Sequence, residues 1–128
     1  MLEVRKRTFT PAAAILLALT VAMPVMPAAA SSESCLPSSL KSRLSDIRKR
    51  YGAIKIVSTH RKGAKIKGSG RASYHASCRA VDFVPPKGKY SEVTRWLYAN
   101  HEGGVGTYSC MDHIHIDNGP NVRWSRCR

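Results

Sequence analysis

Four cysteines in a short chain are the feature that most limits what this protein can fold into. The chain has 128 residues, enough for one small domain, and such a domain is only marginally stable without crosslinks. Because the number of cysteines is even and their spacing wide, we expect two disulfides, formed in an oxidising compartment. The cysteines are Cys35, Cys78, Cys110 and Cys127.

The pairing of these cysteines stays open, since four cysteines allow three pairings. We favour Cys35 with Cys127, which would tie the two ends of the domain, and Cys78 with Cys110, which would clamp two loops. A four-cysteine zinc site is the alternative. No two of the cysteines form a Cys-x-x-Cys pair, and this spacing argues against such a site.

The first part of the chain has the pattern of a cleavable export signal. Basic residues at 5–7 precede an uncharged run at 12–22, and three alanines at 28–30 offer a cleavage site. A membrane anchor is the alternative, but the run is shorter than the roughly 20 residues that a bilayer span needs. We expect a signal peptide at 1–30, a mature domain at 31–128, and a periplasmic or secreted protein without stable membrane insertion.

Apolar periodicity predicts two helices and several short strands in the mature domain. Residues 36–51 carry one apolar stripe between basic residues, and residues 90–101 carry a second stripe behind Ser91, a possible N-cap. Alternating or apolar runs predict strands at residues 53–59, 79–84, 105–108 and 113–117, with an edge strand within 119–124. Residues 60–72 are rich in glycine and basic residues and predict a mobile basic loop. The fold class that follows is α+β, a small antiparallel sheet with the helices packed on one side.

The residues able to perform chemistry lie on two of these strands and just before one of them. On the strand at 113–117, alternation should project His113, His115 and Asp117 from one face. Upstream, Asp82 interrupts an apolar strand seven residues after His75. A histidine and a buried carboxylate beside a strand histidine make a three-ligand nitrogen and oxygen site, which suits zinc and leaves a fourth position for water. Such an open site is of the catalytic type.

These residues resemble the zinc D,D-carboxypeptidases and related murein endopeptidases, which share a fold with the Hedgehog signalling domain. The family pattern Ser-x-His-x-x-Gly-x-Ala-x-Asp is matched from Ser73 to Asp82, except that Cys78 stands at the glycine position. In the family, an acidic residue stands three positions before the last zinc histidine. Here Asp112 stands three positions before His115. The glycines at 103–106 and the segment Gly119, Pro120 and Trp124 are also similar, so the resemblance covers nearly all of the mature chain.

The resemblance implies one zinc ion per chain, bound by His75, Asp82 and His115. Asp117 would orient an imidazole through a hydrogen bond, although it is also a good turn former before Asn118. We expect the two remaining histidines, His60 and His101, on the surface.

The resemblance also implies Asp112 as the general base and Arg61 as the residue that holds a substrate carboxylate or the developing oxyanion. His113 is a further group that can stabilise the oxyanion. Asp112 must lie in a turn or a bulge, because a regular strand would turn it away from His115; otherwise His113 is the better base. The simpler alternatives are that Arg61 is one of many basic loop residues and that His113 is a plain surface residue.

The net charge limits the partners. Removing the signal peptide takes three basic residues and one acidic residue from the 21 and 8 of the whole chain, which leaves a charge of +11. This charge attracts polyanions, and peptidoglycan stem peptides and wall polymers carry many carboxylates or phosphates. Nucleic acid would be attracted equally, but the export signal and the lack of stacking aromatics in the basic loop argue against it.

We therefore expect a monomeric, exported zinc metallopeptidase that hydrolyses peptidoglycan stem peptides or cross-links by metal-activated water. Small size favours an open groove, and so a murein endopeptidase over a D,D-carboxypeptidase, but the sequence does not decide which bond is cut. The first alternative is a catalytically inactive secreted cell-wall-binding protein of the same fold. The second is a basic, disulfide-stapled antimicrobial or nucleic-acid-binding protein.

Overall fold

A computed structural model describes residues 32–127, and the predicted signal peptide at 1–30 lies outside that range. The described chain is α+β, as the sequence predicts. Its helices are α1 (Ser38–Tyr51) and α2 (Tyr90–Asn100). Its strands are β1 (Lys55–Ser58), β2 (Ala80–Val84), β3 (Val105–Tyr108), β4 (Ile114–Asp117) and β5 (Arg123–Arg126). Within residues 32–127 no helix is long and apolar enough to cross a membrane.

Both helices pack on one face of the sheet, because their apolar stripes match the alternate apolar residues of the strands. One buried cluster contains, from the helices, Leu40, Leu44, Ile47, Val93 and Leu97, and from the strands, Val81, Phe83, Val105, Ile114 and Ile116. Burying a side chain of this size contributes about 1.5–3 kcal/mol. Since side chains alternate along a strand, the residues between these positions face the other side of the sheet, away from the helices.

Helix α2 differs from the sequence expectation at its first residue. The residue before the helix is Lys89, and no side chain accepts a hydrogen bond from the free N–H groups there. Ser91 lies inside the helix, so its prediction as the N-cap is wrong.

The sheet is mixed, which corrects the expectation of an antiparallel sheet. Its order is β1-β2-β4-β3-β5; three of the strand pairs are antiparallel, but β3 and β5 are parallel. The connection at 118–122 reverses the chain once after β4 and carries it past β3 to the edge. Strand β5 therefore runs against β4 and in the same direction as β3.

The disulfides join Cys35 to Cys78 and Cys110 to Cys127, so the favoured pairing was wrong. The parallel pairing of β3 with β5 explains the second bond. Tyr108 is the partner of Arg126 in that pairing, and the cysteines that follow these two strand ends therefore meet at the same end of the sheet. The chain ends cannot be tied together, because Cys35 lies before α1, next to the segment that carries Cys78.

Cys78 adopts a conformation that usually requires glycine. Its φ is 54°, and it is the one non-glycine residue with a positive φ within residues 32–127. This conformation costs an L-residue roughly 1–2 kcal/mol. Glycine adopts a positive φ without a steric clash, which explains the glycine at this position of the family pattern. In this chain the disulfide to Cys35 restrains the same turn.

The segment predicted as a mobile basic loop is a small hairpin. Ile66 N–H donates to Arg71 O at 2.7 Å, and Ser73 N–H donates to Ala64 O at 2.9 Å. Lys65 and Ala72 form a bridge between the two legs. We call residues 61–73 the basic hairpin.

The disulfide pairing is testable by peptide mapping without reduction. Trypsin places the four cysteines in separate peptides, because a basic residue lies between each pair. We expect the peptide of Cys35 to be linked to that of Cys78, and the Trp96–Arg123 peptide to be linked to Cys127. A covalent link between Cys35 and Cys127 in mass spectra would contradict the parallel arrangement of β3 and β5. Reduced protein should release all four peptides singly.

Candidate metal centre

Three of the side chains singled out from the sequence lie together on the sheet face opposite the helices. Asp82 on β2 and His115 on β4 are direct partners across the two strands, so their side chains leave the sheet side by side. His75 lies on a short 3-10 helix, Tyr74–Ser77, just before β2. One potential ligand atom from each residue lies within 4.8 Å of the other two, and this is the one such group within residues 32–127.

The spacing of these atoms fits a tetrahedral metal ion. Asp82 Oδ1 lies 2.9 Å from His115 Nδ1 and 3.2 Å from His75 Nε2. Zinc bonds of about 2.0–2.1 Å in a tetrahedral arrangement separate neighbouring donors by about 3.3 Å. Although His75 Nε2 is close to the carboxylate, it is buried and makes no hydrogen bond of acceptable angle. A buried nitrogen of this kind is suited to donate its lone pair to a metal ion.

The outer nitrogens of both imidazoles are held by hydrogen bonds. His75 Nδ1 lies 2.7 Å from Thr59 O; because a carbonyl only accepts, Nδ1 donates this hydrogen bond, and Nε2 is the ring nitrogen that would bind a metal ion. His115 Nε2 lies 2.9 Å from Asp117 Oδ2, so a proton on Nε2 leaves the lone pair of Nδ1 facing Asp82. Partners of this type orient metal-binding histidines and fix their tautomers.

Asp117 is itself held rigidly. Its Oδ1 accepts the backbone N–H of Gly104 at 3.1 Å and of Gly119 at 2.8 Å, which leaves Oδ2 for His115. A Cβ at position 104 would lie 2.5 Å from Asp117 Oδ2, so only glycine fits there. Asp117 thus lies beside the His115 imidazole, in the position from which the sequence analysis expected it to orient a histidine.

His101 is buried, which corrects the expectation that it lies on the surface. Its Nε2 donates to Asp117 O at 2.8 Å, and burial lowers its pKa. The other histidine expected on the surface, His60, is exposed.

The charges in this cluster are strongly coupled. Burial alone would raise the pKa of Asp82, but its contacts with His115 and His75 outweigh burial and hold the pKa well below the usual range. Burial alone would lower the pKa of His115, but hydrogen bonds to Asp117 and Asp82 raise it. A metal ion that binds His115 Nδ1 therefore competes with a proton, because the hydrogen bonds that raise this pKa favour the protonated imidazole.

Arg61 is close to the cluster. Its guanidinium lies 3.9 Å from Asp82 Oδ2 while 43% of the side chain is exposed, and its backbone N–H donates to His75 O at 2.9 Å. One side of the guanidinium therefore faces the buried carboxylate and the rest is open to a ligand.

Asp112 and His113 lie in the loop between β3 and β4, outside the three-residue cluster. Strand β4 begins at Ile114, so Asp112 lies in the turn, as its proposed role requires. His113 is the last residue before the strand, and its ring packs 4.6 Å from the Tyr108 ring. Both residues line an open cavity of about 700 Å³ formed by this loop.

Two contributors to the site were not recognised as such in the sequence. The Thr59 carbonyl is a backbone group and has no sequence signal. The indole of Trp124 lies 5.4 Å from the His115 ring and packs on Gly106, where a Cβ would come within 2.1 Å of it. The Gly-Gly-x-Gly stretch was the available signal, since glycine here makes room for Trp124 and for Asp117.

Comparisons with known proteins found a family model and several relatives that match the chain. A family model described as Peptidase M15 matches residues 18–117. The peptidoglycan L,D-endopeptidase MepK of Escherichia coli (strain K12) is 33% identical over 61 residues, which are 48% of this chain and 34% of MepK. MepK of Shigella flexneri matches to the same extent. The matched segment thus spans about a third of the length of these relatives, and no solved structure matches the chain significantly.

Removing one imidazole should abolish metal binding. After dialysis against zinc, we expect the wild-type protein to retain about one zinc ion per chain and His75→Ala to retain almost none, because two ligands bind zinc weakly. His60→Ala removes an exposed histidine and should retain zinc. The measurement is metal content by mass spectrometry, with circular dichroism to show that His75→Ala is folded. Unchanged zinc in folded His75→Ala would contradict the ligand assignment.

Metal affinity should depend on pH through His115. Because its pKa is raised in the metal-free protein, a proton competes with zinc below that pKa, and affinity should fall about tenfold for each pH unit there. Asp117→Asn replaces the carboxylate that accepts the hydrogen bond from His115 Nε2 with a neutral amide, which stabilises the protonated imidazole less, so the onset of the loss should move to lower pH. Chelator competition at several pH values measures both effects. An onset that does not move in Asp117→Asn would show that Asp117 does not act through His115.

Proposed function

The chain belongs to the Peptidase M15 family, and from that premise we propose that it is an exported zinc metallopeptidase that hydrolyses peptide bonds of peptidoglycan. The observation that carries the proposal is the spacing of His75 Nε2, Asp82 Oδ1 and His115 Nδ1, which suits a metal ion. The mixed sheet with both helices on one face supports the further proposal of a Hedgehog and D,D-peptidase type of fold.

We propose zinc as the metal because the donor set is two imidazoles and one carboxylate, with a position left for water. When bound, zinc acts as a Lewis acid that activates water for attack on a peptide carbonyl. The protein's part is to hold the three donors rigidly. Thr59 O and the Asp117 carboxylate do so by fixing the two imidazole rings from behind.

Asp112 is the proposed general base. Its carboxylate is exposed in the turn before β4, where it can accept a proton from the attacking water and return it to the leaving amine. The disulfide from Cys110, two residues earlier, restrains this turn. A turn position also frees the carboxylate from the strand alternation that would otherwise direct it away from His115.

Arg61 and His113 are proposed to stabilise negative charge on the substrate. The Arg61 guanidinium lies beside Asp82 with part of its surface open, which suits a developing oxyanion or a substrate carboxylate. His113 is positioned by its ring contact with Tyr108 and by its carbonyl, which accepts a hydrogen bond from Tyr90 Oη at 3.1 Å. Its imidazole is the second candidate donor to the oxyanion.

Several observations favour an endopeptidase of the cell wall over a D,D-carboxypeptidase. The two relatives named above are L,D-endopeptidases of peptidoglycan. The cavity beside Asp112 is open to solvent, and an open groove suits a cross-linked polymer. Two disulfides support an oxidising location such as the periplasm. We propose that the protein acts there as a monomer after removal of its signal peptide.

The test is digestion of purified peptidoglycan by the oxidised, zinc-loaded protein, followed by mass analysis of the released fragments. We expect new peptide termini, whose masses identify the bond that is cut. Asp112→Asn should lower kcat by about 10²–10⁴ because it removes the general base, with zinc content unchanged. Glu102→Gln, a neutralised exposed carboxylate in another loop, should leave kcat unchanged.

Two results would contradict the proposal in different ways. Wild-type rates in Asp112→Asn would show that another group is the base. Zinc-loaded wild-type protein that binds peptidoglycan but releases no fragments would instead support the inactive wall-binding protein.

A further inference from the structure

The positive charge of the chain is unevenly distributed. Between Asp46 and Asp82 the sequence contains ten basic residues and no acidic one. Five of the ten lie in the basic hairpin: Arg61, Lys62, Lys65, Lys67 and Arg71. Their side chains are all exposed. Cations at this density repel one another, so an anionic ligand would relieve the repulsion as well as gain direct attraction.

The basic hairpin is attached to the candidate metal centre at both of its ends. At one end, Arg61 N–H donates to His75 O at 2.9 Å. At the other end, Ser73 Oγ accepts the backbone N–H of His75 at 3.3 Å. The hydrogen bonds between its legs then fix the path of the chain that carries the lysines. These charges therefore lie on an ordered segment that begins and ends beside the metal centre.

Four of the five cations of the basic hairpin differ from Lys41, Arg43 and Arg48 of α1 in having no partner. On α1, Arg48 is paired with Glu33, Arg43 with Asp46, and Lys41 Nζ donates to Ser34 O. For Lys62, Lys65, Lys67 and Arg71, the described part of the chain provides neither an acidic side chain within 4.0 Å nor a side-chain hydrogen bond. These three α1 cations contact other groups of the fold, whereas the four hairpin cations are available to a ligand.

We propose that the basic hairpin is a substrate subsite that binds the carboxylates of the peptidoglycan chain flanking the cleaved bond. This inference rests on the proposed function and deepens it by assigning the subsite. A peptide bond placed at the metal centre brings its neighbouring groups beside the hairpin, because Arg61 begins the hairpin and contacts Asp82. In peptidoglycan those neighbouring groups are stem peptides, which carry free carboxylates. Lysine ammonium groups on flexible stems suit carboxylates spread along such a chain, since each acts as an adjustable point charge.

The test compares two triple variants with the same change in charge. Lys62→Gln/Lys65→Gln/Lys67→Gln neutralises the hairpin. Lys49→Gln/Lys55→Gln/Lys87→Gln neutralises three exposed lysines near the opposite end of the sheet, where Lys55 pairs with Val84. Because all six side chains are exposed, both variants should fold as the wild type does, and circular dichroism and zinc content verify this.

Binding is measured by co-sedimentation with purified peptidoglycan in the cold, after a chelator has removed zinc, so that the result does not depend on hydrolysis. We expect the hairpin variant to bind about tenfold more weakly, since each exposed ion pair contributes a factor of roughly two to five. The control variant should bind as the wild type does, apart from a small loss from its lower net charge. The difference between the two variants should shrink at high salt because exposed charges are screened.

The chemical identity of the anion is tested with two modified polymers. Amidation of the peptidoglycan carboxylates should weaken wild-type binding to the level of the hairpin variant, whereas removal of attached phosphate polymers should change little. Equal binding by the two triple variants would overturn the subsite. Loss of binding only on removal of phosphate would overturn the carboxylate assignment.

The kinetic readout separates this inference from the proposed peptidase activity. In zinc-loaded protein, the hairpin variant should show a raised KM with kcat unchanged. This result is expected when the lost contacts bind the substrate and the transition state equally well. A fall in kcat alone would contradict a binding subsite. If the wild type cleaves nothing yet the two variants differ in co-sedimentation, the peptidase proposal fails while the anionic subsite stands.

Discussion

The site depends on one buried carboxylate. Asp82 lies within an apolar strand and is 4% exposed, and a lone carboxylate at such a position would cost several kcal/mol. The structure compensates this charge with two imidazoles and one guanidinium, from His75, His115 and Arg61. Each of these groups comes from a different part of the chain, so folding the sheet and assembling the site are the same event. The requirement of Asp82 for cationic neighbours is also what prepares the position for a metal ion.

Covalent crosslinks support both loops that flank this centre. The Cys35–Cys78 disulfide holds the turn three residues after His75, and the Cys110–Cys127 disulfide holds the turn two residues before Asp112. A domain of this size buries a small core, so its loops need support that a larger protein would obtain by packing. Positive φ at Cys78 shows that the crosslink and the local conformation are linked. The sheet thus separates two tasks, with the apolar core on the helix side and the polar centre on the other.

The two helices and the face on which His115 lies followed from the sequence because they depend on local periodicity, whereas the grouping of His115 with Asp82 and His75 was implied by the family resemblance. Apolar spacing predicts α1 and α2, and alternation places Asp82 and His115 opposite the core. The disulfide pairing did not follow, since it depends on the parallel direction of β5, which no local pattern encodes. His101 was wrongly expected on the surface because its partner, Asp117 O, is a backbone atom distant in sequence.

The central claim is that His75, Asp82 and His115 share one metal ion. The most direct measurement is an anomalous difference map from crystals of the zinc-loaded protein, with data collected on both sides of the zinc absorption edge. The account predicts a single strong peak within about 2.0–2.2 Å of His75 Nε2, an Asp82 oxygen and His115 Nδ1. A peak at any other set of side chains, or loaded crystals with the three donors bonded only to one another, would contradict it.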